Sequence, residues 1–289
     1  MSSLALGFPA SGRRRSRRSP RSSIPGFPLA MGITLTWLSF IVLVPLSAVF
    51  VKSGGDGWEH FWSAALSARA VAAYRLSFGS ALIAASINAL FGLVVAWVLV
   101  RYHFPGKRLF GALVDLPFAL PTAVAGIALT TVYAENGLLG GVFSGAGLPI
   151  AYRPAGVVVA LVFIGHPFVV RTVEPVLAQV SREMEEAAVT LGATRRQTFL
   201  HVILPTIAPA LATGFALAFA RGAGEYGSVI FIAGNMPYVS EIAPLLIITQ
   251  LEEYDYPGAA AIGVVMLLIS FSMLFLINGL QVWQRRRAA

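Results

Sequence analysis

Residues able to do covalent or acid–base chemistry are sparse in this sequence and badly arranged for it. There is no cysteine, which excludes disulfides, thiolate metal sites and thiol nucleophiles. The four histidines, His60, His103, His166 and His201, fall on different elements, and no two carboxylates are spaced for general acid–base work. No G-x-x-x-x-G-K-[ST] phosphate loop occurs, so the chain cannot hydrolyse ATP alone. What remains are charged groups inside apolar runs: Asp115, Arg221 and Glu225. An ionised group at the centre of a bilayer costs about 2.5–3.5 kcal/mol or more, so each needs a partner or a role.

Arg221 and Glu225 stand at i and i+4 and can pair on one helix face. They are either a structural pair or groups lining a pathway in which a dianion would feel Arg221. Gly222, Gly224 and Gly227 leave the chain narrow around them, for close helix packing or for a passage. Asp115 is expected to form a structural salt bridge with Lys107, Arg108 or a partner. Pro117 and Pro121 can kink the run that holds it and free backbone groups, which favours a pathway-lining element. Asn88 and Asn278 are expected to hydrogen-bond across helices, and His166 to be a satisfied interior histidine.

A second segment has spacing with a mechanical meaning. Ser181 can cap a helix whose first turns carry Glu183, Glu185 and Glu186, acids that complement the positive helix end. Gly192 supplies a left-handed residue where that helix stops and turns. Thr194-Arg195-Arg196-Gln197 matches a capping box, opening a second helix that runs to Leu204-Pro205. Helix, sharp turn and helix make a rigid unit suited to docking a protein and transmitting its movement.

The elements that hold these residues are membrane spans. Hydrophobic residues make up 57% of the 289 and charged residues 12%, with a mean hydropathy of +0.76. Soluble domains carry about 25% charge, so too few charges remain here to cover a water-facing surface. Six apolar runs emerge: 29–51, 76–100, 109–134, 154–170, about 202–232 and 257–282. The first is too long, and lacks the cleavage site, to be a signal peptide. Of the 21 basic residues, 16 fall in the termini and alternate connections on one side, which predicts both termini in the cytoplasm. The longest inner connection, about 171–201, is the helix–turn–helix segment. On the outer side, Trp58, Phe61, Trp62 and Tyr74 mark an interfacial helix, and 135–153 reads as an exposed Gly/Ser loop. The run 242–250 is too short to span. Nine arginines sit at the termini, six of them in the first 21 residues, which leaves 12 basic against 13 acidic residues in the body. The basicity therefore reflects orientation, and no nucleic-acid partner is implied.

Glu186-Ala187-Ala188, three residues, Gly192, nine residues, Val202, one residue and Leu204-Pro205 resemble the E-A-A–G–I-x-L-P loop of ABC-importer permeases. Val202 for Ile is the one departure. An ordinary amphipathic inner loop is the alternative, disfavoured by six matched positions over twenty residues. The segments DLPFALPTAVAG (115–126), PFVVRTVEPVL (167–177), GEYGSVIFIAGN (224–235) and EYDYPGAAAI (253–262) resemble the T-type permease of sulfate/thiosulfate ABC transporters. With the loop, they cover most of the chain from residue 74 onward. The molybdate permeases are similar too, and share the Gly-Glu-aromatic-Gly theme.

That resemblance implies an all-α, polytopic chain of six transmembrane helices with the type I ABC importer permease (MetI-like) fold. Residues 1–28 carry no family signal and read from their composition as a basic tail, expected to be disordered in the cytoplasm. A permease domain over 29–289 follows, its coupling loop at about 171–205. Glu186, Ala187, Ala188, Gly192, Leu204 and Pro205 would then couple to an ATPase, while Arg221, Glu225, Pro117, Pro121 and Gly224 are pathway candidates. The implied partners are a W-type permease, two copies of a cytoplasmic ABC ATPase, a periplasmic sulfate/thiosulfate-binding protein and the lipid bilayer of the inner membrane. The chain would be a non-catalytic subunit holding no cofactor, with ATP-Mg bound by the ATPase. A molybdate or tungstate permease remains the nearer alternative, since tetrahedral oxyanions are alike in charge. A secondary anion transporter or channel is more remote: neither inverted repeats nor ionisable relays are visible.

Overall fold

The computed structural model describes residues 26–288, with side chains as far as residue 279. The tail at 1–25, and the expectation of disorder placed on it, lie outside the described residues. The chain divides into two units, 1–48 and 49–289. What is described of the first is the greater part of helix α1 (Phe27–Ser53), apolar on every side with a mean hydropathy of 2.2 and a wide π-turn at Ser39–Leu43.

In the second unit the core is built by three long helices, α3 (Ala68–Arg101), α7 (Pro154–Gln179) and α9 (Arg195–Ala223), which pack on one another. Between α2 (Gly57–Ala65) and α8 (Arg182–Thr190) come also α4 (Lys107–Ala119), α5 (Thr122–Tyr133) and α6 (Gly140–Gly145). After α9 follow α10 (Val229–Ala233), α11 (Ala243–Glu252) and α12 (Tyr256–Ala288). No strand occurs among the described residues, in agreement with an all-α fold.

The core forms because one stripe of α3 is small. Ala70, Ala73, Ser77, Ala81, Ala84, Asn88, Gly92 and Ala96 recur at three- and four-residue spacing and are all buried. With lipid as solvent, helices associate through such close approach rather than through a hydrophobic driving force. Val169 of α7 shows how close: a Cβ on Gly92 would lie 2.8 Å from its Cγ1, and one on Gly214 of α9 2.9 Å from its Cα.

Two expected spans are broken. The run at 109–134 becomes α4 and α5, bent by 112°. Leu120 is extended (φ −85°, ψ 134°) because the ring of Pro121 disfavours helical geometry in the residue before it. Pro117, by contrast, stays inside α4. The run at about 202–232 stops at Ala223, and Gly224 to Ser228 lead into the short α10, closed by left-handed Gly234 (φ 74°). The fourth span is longer than expected, running on to Gln179. Among the described residues, five helices are thus long and apolar enough to cross a membrane, and six if α4 and α5 count as one.

Just before α3, α2 lays Phe61 and Ala65 against Ala261 and Val264 of α12, with Trp58 and Trp62 exposed, the pattern of an interfacial helix. The short α11 packs against α12 and α3, burying Leu245 and Leu246, and its Ala243 N–H donates to Ser77 Oγ of α3 at 2.8 Å.

The seam between α5 and the second break yields a test. A Cβ on Gly126 would sit 2.4 Å from the Ser228 carbonyl oxygen and 2.9 Å from its Cα, both backbone atoms. Gly126→Ala is expected to cost about 1–3 kcal/mol and lower the thermal midpoint of the detergent-solubilised protein. Gly79→Ala, which meets open space on α3, should leave that midpoint unchanged or slightly higher. An equal response from both would mean that α5 and the 224–228 segment do not pack this way.

Candidate functional site

The helix–turn–helix segment is closed by local hydrogen bonds at both ends of its turn. Gly192 has φ +85°, its N–H donates to Val189 O at 2.9 Å, and Ala193 N–H donates to Ala188 O at 3.0 Å. These are the two bonds of a Schellman motif, which satisfies the last carbonyls of α8 only if the turning residue is left-handed. Thr194 and Gln197 form the reciprocal capping box: Thr194 N–H donates to Gln197 Oε1 at 2.8 Å, and Gln197 N–H to Thr194 Oγ1 at 3.4 Å. Ser181 is the N-cap of α8 by backbone geometry, with no side-chain cap bond. The second helix does not end at Leu204-Pro205. A π-turn at Phe199–Ile203, in which Leu204 N–H reaches Phe199 O, carries the helix past Pro205 into one 29-residue α9.

Glu186 and Ala187 are exposed and Ala188 half-buried. Met184, Val189 and Leu191 are exposed beside them, with 88% of Leu191 accessible, so α8 offers a partly apolar face to a partner. Glu185, one turn before Val189 on the same face, anchors the helix. Arg101, the last residue of α3, pairs with Glu185 and donates to Val180 O at 3.4 Å, with its guanidinium 5.6 Å from the Trp97 ring. Trp97 meets Phe199 of α9 edge to face at 5.6 Å. An open cavity of about 550 Å³ lies among Trp97, Glu186, Val189 and Phe199. Arg101 is absent from the sequence-derived candidates, because its partner lies 84 residues away and no local spacing connects them.

The second candidate cluster lies where the two helix breaks meet. A Cβ on Gly227 would fall 2.2 Å from Thr122 Oγ1, so the Gly224–Ser228 segment lies directly against the start of α5 after Pro121. Arg221 Nη1 pairs with Glu225 Oε2 at 2.5 Å, as the spacing predicts, but not on one helix: Glu225 lies beyond the end of α9. Its buried carboxylate also accepts from Ser228 N–H at 3.0 Å and Ser228 Oγ–H at 3.1 Å, which helps hold the break in shape. Gly224 faces open space, Gly222 makes ordinary contact with Ala81, and only Gly227 is forced small by a neighbour. The structure therefore joins Pro121, Arg221, Gly224 and Glu225 into one region, while Pro117 sits within α4, a turn before the bend.

The expected salt bridge of Asp115 forms, but with a residue distant in sequence. Asp115 pairs with neither Lys107 nor Arg108. Arg171, which lies inside α7 rather than in the loop, grips it with Nε to Oδ1 at 2.7 Å and Nη2 to Oδ2 at 2.5 Å. The same guanidinium reaches Gly111 O and Glu174. Asn88 is buried, yet neither of its amide atoms has a hydrogen-bond partner, and Asn278 is exposed. His60 is not isolated: its Nε2 lies 3.1 Å from Asp255 Oδ1, with Asp56 beside them. That Asp255 oxygen already caps α12 through Gly258 N–H at 2.8 Å. His166 is half-buried in α7. A further pair had no sequence signal: Arg69 grips buried Glu241 through two bonds of 2.8 and 2.7 Å, tying α3 to the segment before α11.

Residues 88–289 match the family model described as "Binding-protein-dependent transport system inner membrane component". The chain belongs to this family. It is 47% identical to the sulfate transport system permease protein CysT of Escherichia coli K12, over 91% of this chain and 95% of that one. Against the CysT protein of Synechocystis the identity is 49%, over 89% and 90% of the two chains. Among solved structures, a bacterial ABC transporter that imports the acidic polysaccharide alginate covers 89% of this chain and 95% of its own, with a TM-score of 0.70 at 15% identity. The MetNI methionine transporter gives a TM-score of 0.53 at 18% identity. These likenesses concern the fold, which is that of ABC-importer permeases. The relatives bear out the T-type resemblance drawn from the loop and the four segments. As an inner-membrane transport component, the chain is a non-catalytic subunit.

The anchoring of the loop can be measured directly. Arg101→Leu removes a charge-assisted bond worth about 1.5–3 kcal/mol. Hydrogen-exchange protection of Arg182–Thr190 should fall by roughly tenfold or more. The reversed pair Arg101→Glu with Glu185→Arg should recover part of it. Unchanged protection in Arg101→Leu would show that packing of Trp97 and Phe199 alone holds the loop.

Proposed function

We propose that the chain is the T-type permease subunit of an ATP-driven importer that carries sulfate and thiosulfate across the inner membrane. The observation that carries this reading is 47–49% identity over about nine-tenths of both chains with proteins named as sulfate transport system permeases. A W-type permease completes the membrane path, two copies of an ABC ATPase bind beneath it, and a periplasmic binding protein delivers the anion. ATP-Mg resides on the ATPase, and the permease itself holds no cofactor. Both termini face the cytoplasm, which the distribution of basic residues supports.

Coupling runs through the loop at about 171–205. Glu186, Ala187 and Ala188 sit on the ATPase, while Gly192, Leu204 and Pro205 shape the turn and the entry into α9. The same helix runs for 29 residues, from Arg195 to Ala223, roughly 43 Å, and carries Arg221 in its last turn. A tilt imposed at the loop therefore reaches the region of the two helix breaks without passing through a flexible joint. Nucleotide binding to the partner would favour one tilt and its release the other, giving two accessible states whose balance ATP shifts.

Labelled-sulfate uptake tests this in cells lacking their own sulfate importer and supplied with this chain, the W-type permease, ATPase and binding protein. ATP-dependent uptake suppressed by unlabelled thiosulfate but not by molybdate is the expected result. Uptake of molybdate alone would keep the machine and change its cargo. Gly192→Val, which forces a β-branched residue to positive φ, should abolish uptake while leaving membrane insertion intact. Uptake that persists in this variant, or without the ATPase, would overturn the coupling role.

A further inference from the structure

An open cavity of about 560 Å³ lies at the end of the molecule that carries the loop, between the last turn of α3, the first turn of α4 and α7. Leu99 and Phe104 form its apolar wall, and Lys107 and Arg108 its charged rim. Neither Lys107 nor Arg108 joins an ion pair among the described residues. Lys107 Nζ makes only a 3.3 Å bond to Tyr102 O. Glu174 is the acidic group lining the cavity, and Arg171 already pairs with it at 2.5 Å. The rim therefore presents net positive charge.

The apolar wall of the cavity continues onto α4. Phe110 is exposed there and meets Phe104 edge to face at 5.6 Å. An apolar surface beside two unpaired cations matches a ligand with an anionic head and hydrocarbon tails. Basic pockets between membrane helices at the cytoplasmic face take such headgroups.

We propose that this cavity binds an anionic phospholipid. Lys107 and Arg108 hold its phosphate, and an acyl chain lies over Phe104 and Phe110. The site is separate from the loop's docking face and from the Arg221 region. It holds irrespective of the imported anion.

The test uses the full-length chain in nanodiscs of phosphatidylcholine containing a minor fraction of phosphatidylglycerol, with retained lipids counted by native mass spectrometry. Phosphatidylglycerol should be enriched over phosphatidylcholine. Lys107→Gln with Arg108→Gln should cut that enrichment by roughly fivefold per cation. The charge-matched change Lys52→Gln with Arg153→Gln, at the other end of the molecule, should leave it intact. Lys107→Arg with Arg108→Lys keeps the charges and should retain the lipid, separating charge from folding. Equal retention of the two lipids, or enrichment untouched by the neutralised pair, would overturn the proposal. Displacement of the lipid by millimolar inorganic phosphate would also overturn it, in favour of a free-phosphate site.

Discussion

A backbone N–H or C=O without a partner in hydrocarbon costs several kcal/mol, so a chain leaves helical geometry at membrane depth only where protein or a cavity takes over its hydrogen bonds. Among the described residues, two expected spans break in this way, at Leu120–Pro121 and at Gly224–Ser228, and the two breaks lie against each other. Glu225 shows how one is held: its carboxylate accepts the Ser228 N–H that a continuing helix would have bonded otherwise, and Arg221 balances the charge. The Arg221–Glu225 pair is therefore structural at this break. It is the condition for having irregular backbone, and an open Gly224, at that depth.

The rest of the permease domain can be understood as a rigid frame around that joint. The small stripe of α3, with Gly92 and Gly214 admitting Val169, brings three helices to contact distances that leave little room for sliding. Ion pairs then fasten peripheral elements to the frame: Arg69 holds Glu241 at one end, Arg171 holds Asp115 and so the α4 half of the bent pair, and Arg101 holds the loop helix. Each fastening is a guanidinium, whose planar fork donates two bonds to one carboxylate at Arg69 and at Arg171, a geometry that a lysine ammonium does not match. Under the proposed function, motion imposed on α8 would be shared between α3, through Arg101, and α9, through the Schellman turn.

What was legible in the sequence follows the range of the interaction. The Gly192 turn and the Thr194 capping box close between residues three to five apart, and both stand where the residue types put them. Spans are legible because lipid imposes composition on every residue of a long window. Asp115 was assigned to Lys107 or Arg108 because those were near in sequence, whereas Arg171, 56 residues away, is near in space. Asn88 was expected to bond across a helix, but its neighbour is Gly165, whose missing Cβ makes room for the amide and offers no side-chain donor or acceptor. The end of α9 at Ala223 was missed for another reason. Arg221 to Ala233 contains no proline, and the break depends on Glu225 finding Ser228 rather than on any residue that forbids helix.

The balance of charge bears on how a dianion would cross under the proposed function. Arg69, Arg101, Arg171 and Arg221 in the three core helices each face a carboxylate. Arg75, on an exposed turn of α3, stands without an ion pair among the described residues. At an effective dielectric of 20, two unit charges 4 Å apart interact by about 4 kcal/mol, and a dianion against a bare arginine would feel about twice that. A site of such depth would hold its cargo on the side from which it must leave. Pairing Arg221 with Glu225 removes most of that well while keeping a guanidinium about one-third exposed at the break. A conduit built this way passes the anion with little retention and leaves discrimination among tetrahedral oxyanions to a component that can bind tightly, because it releases its ligand by moving rather than by waiting.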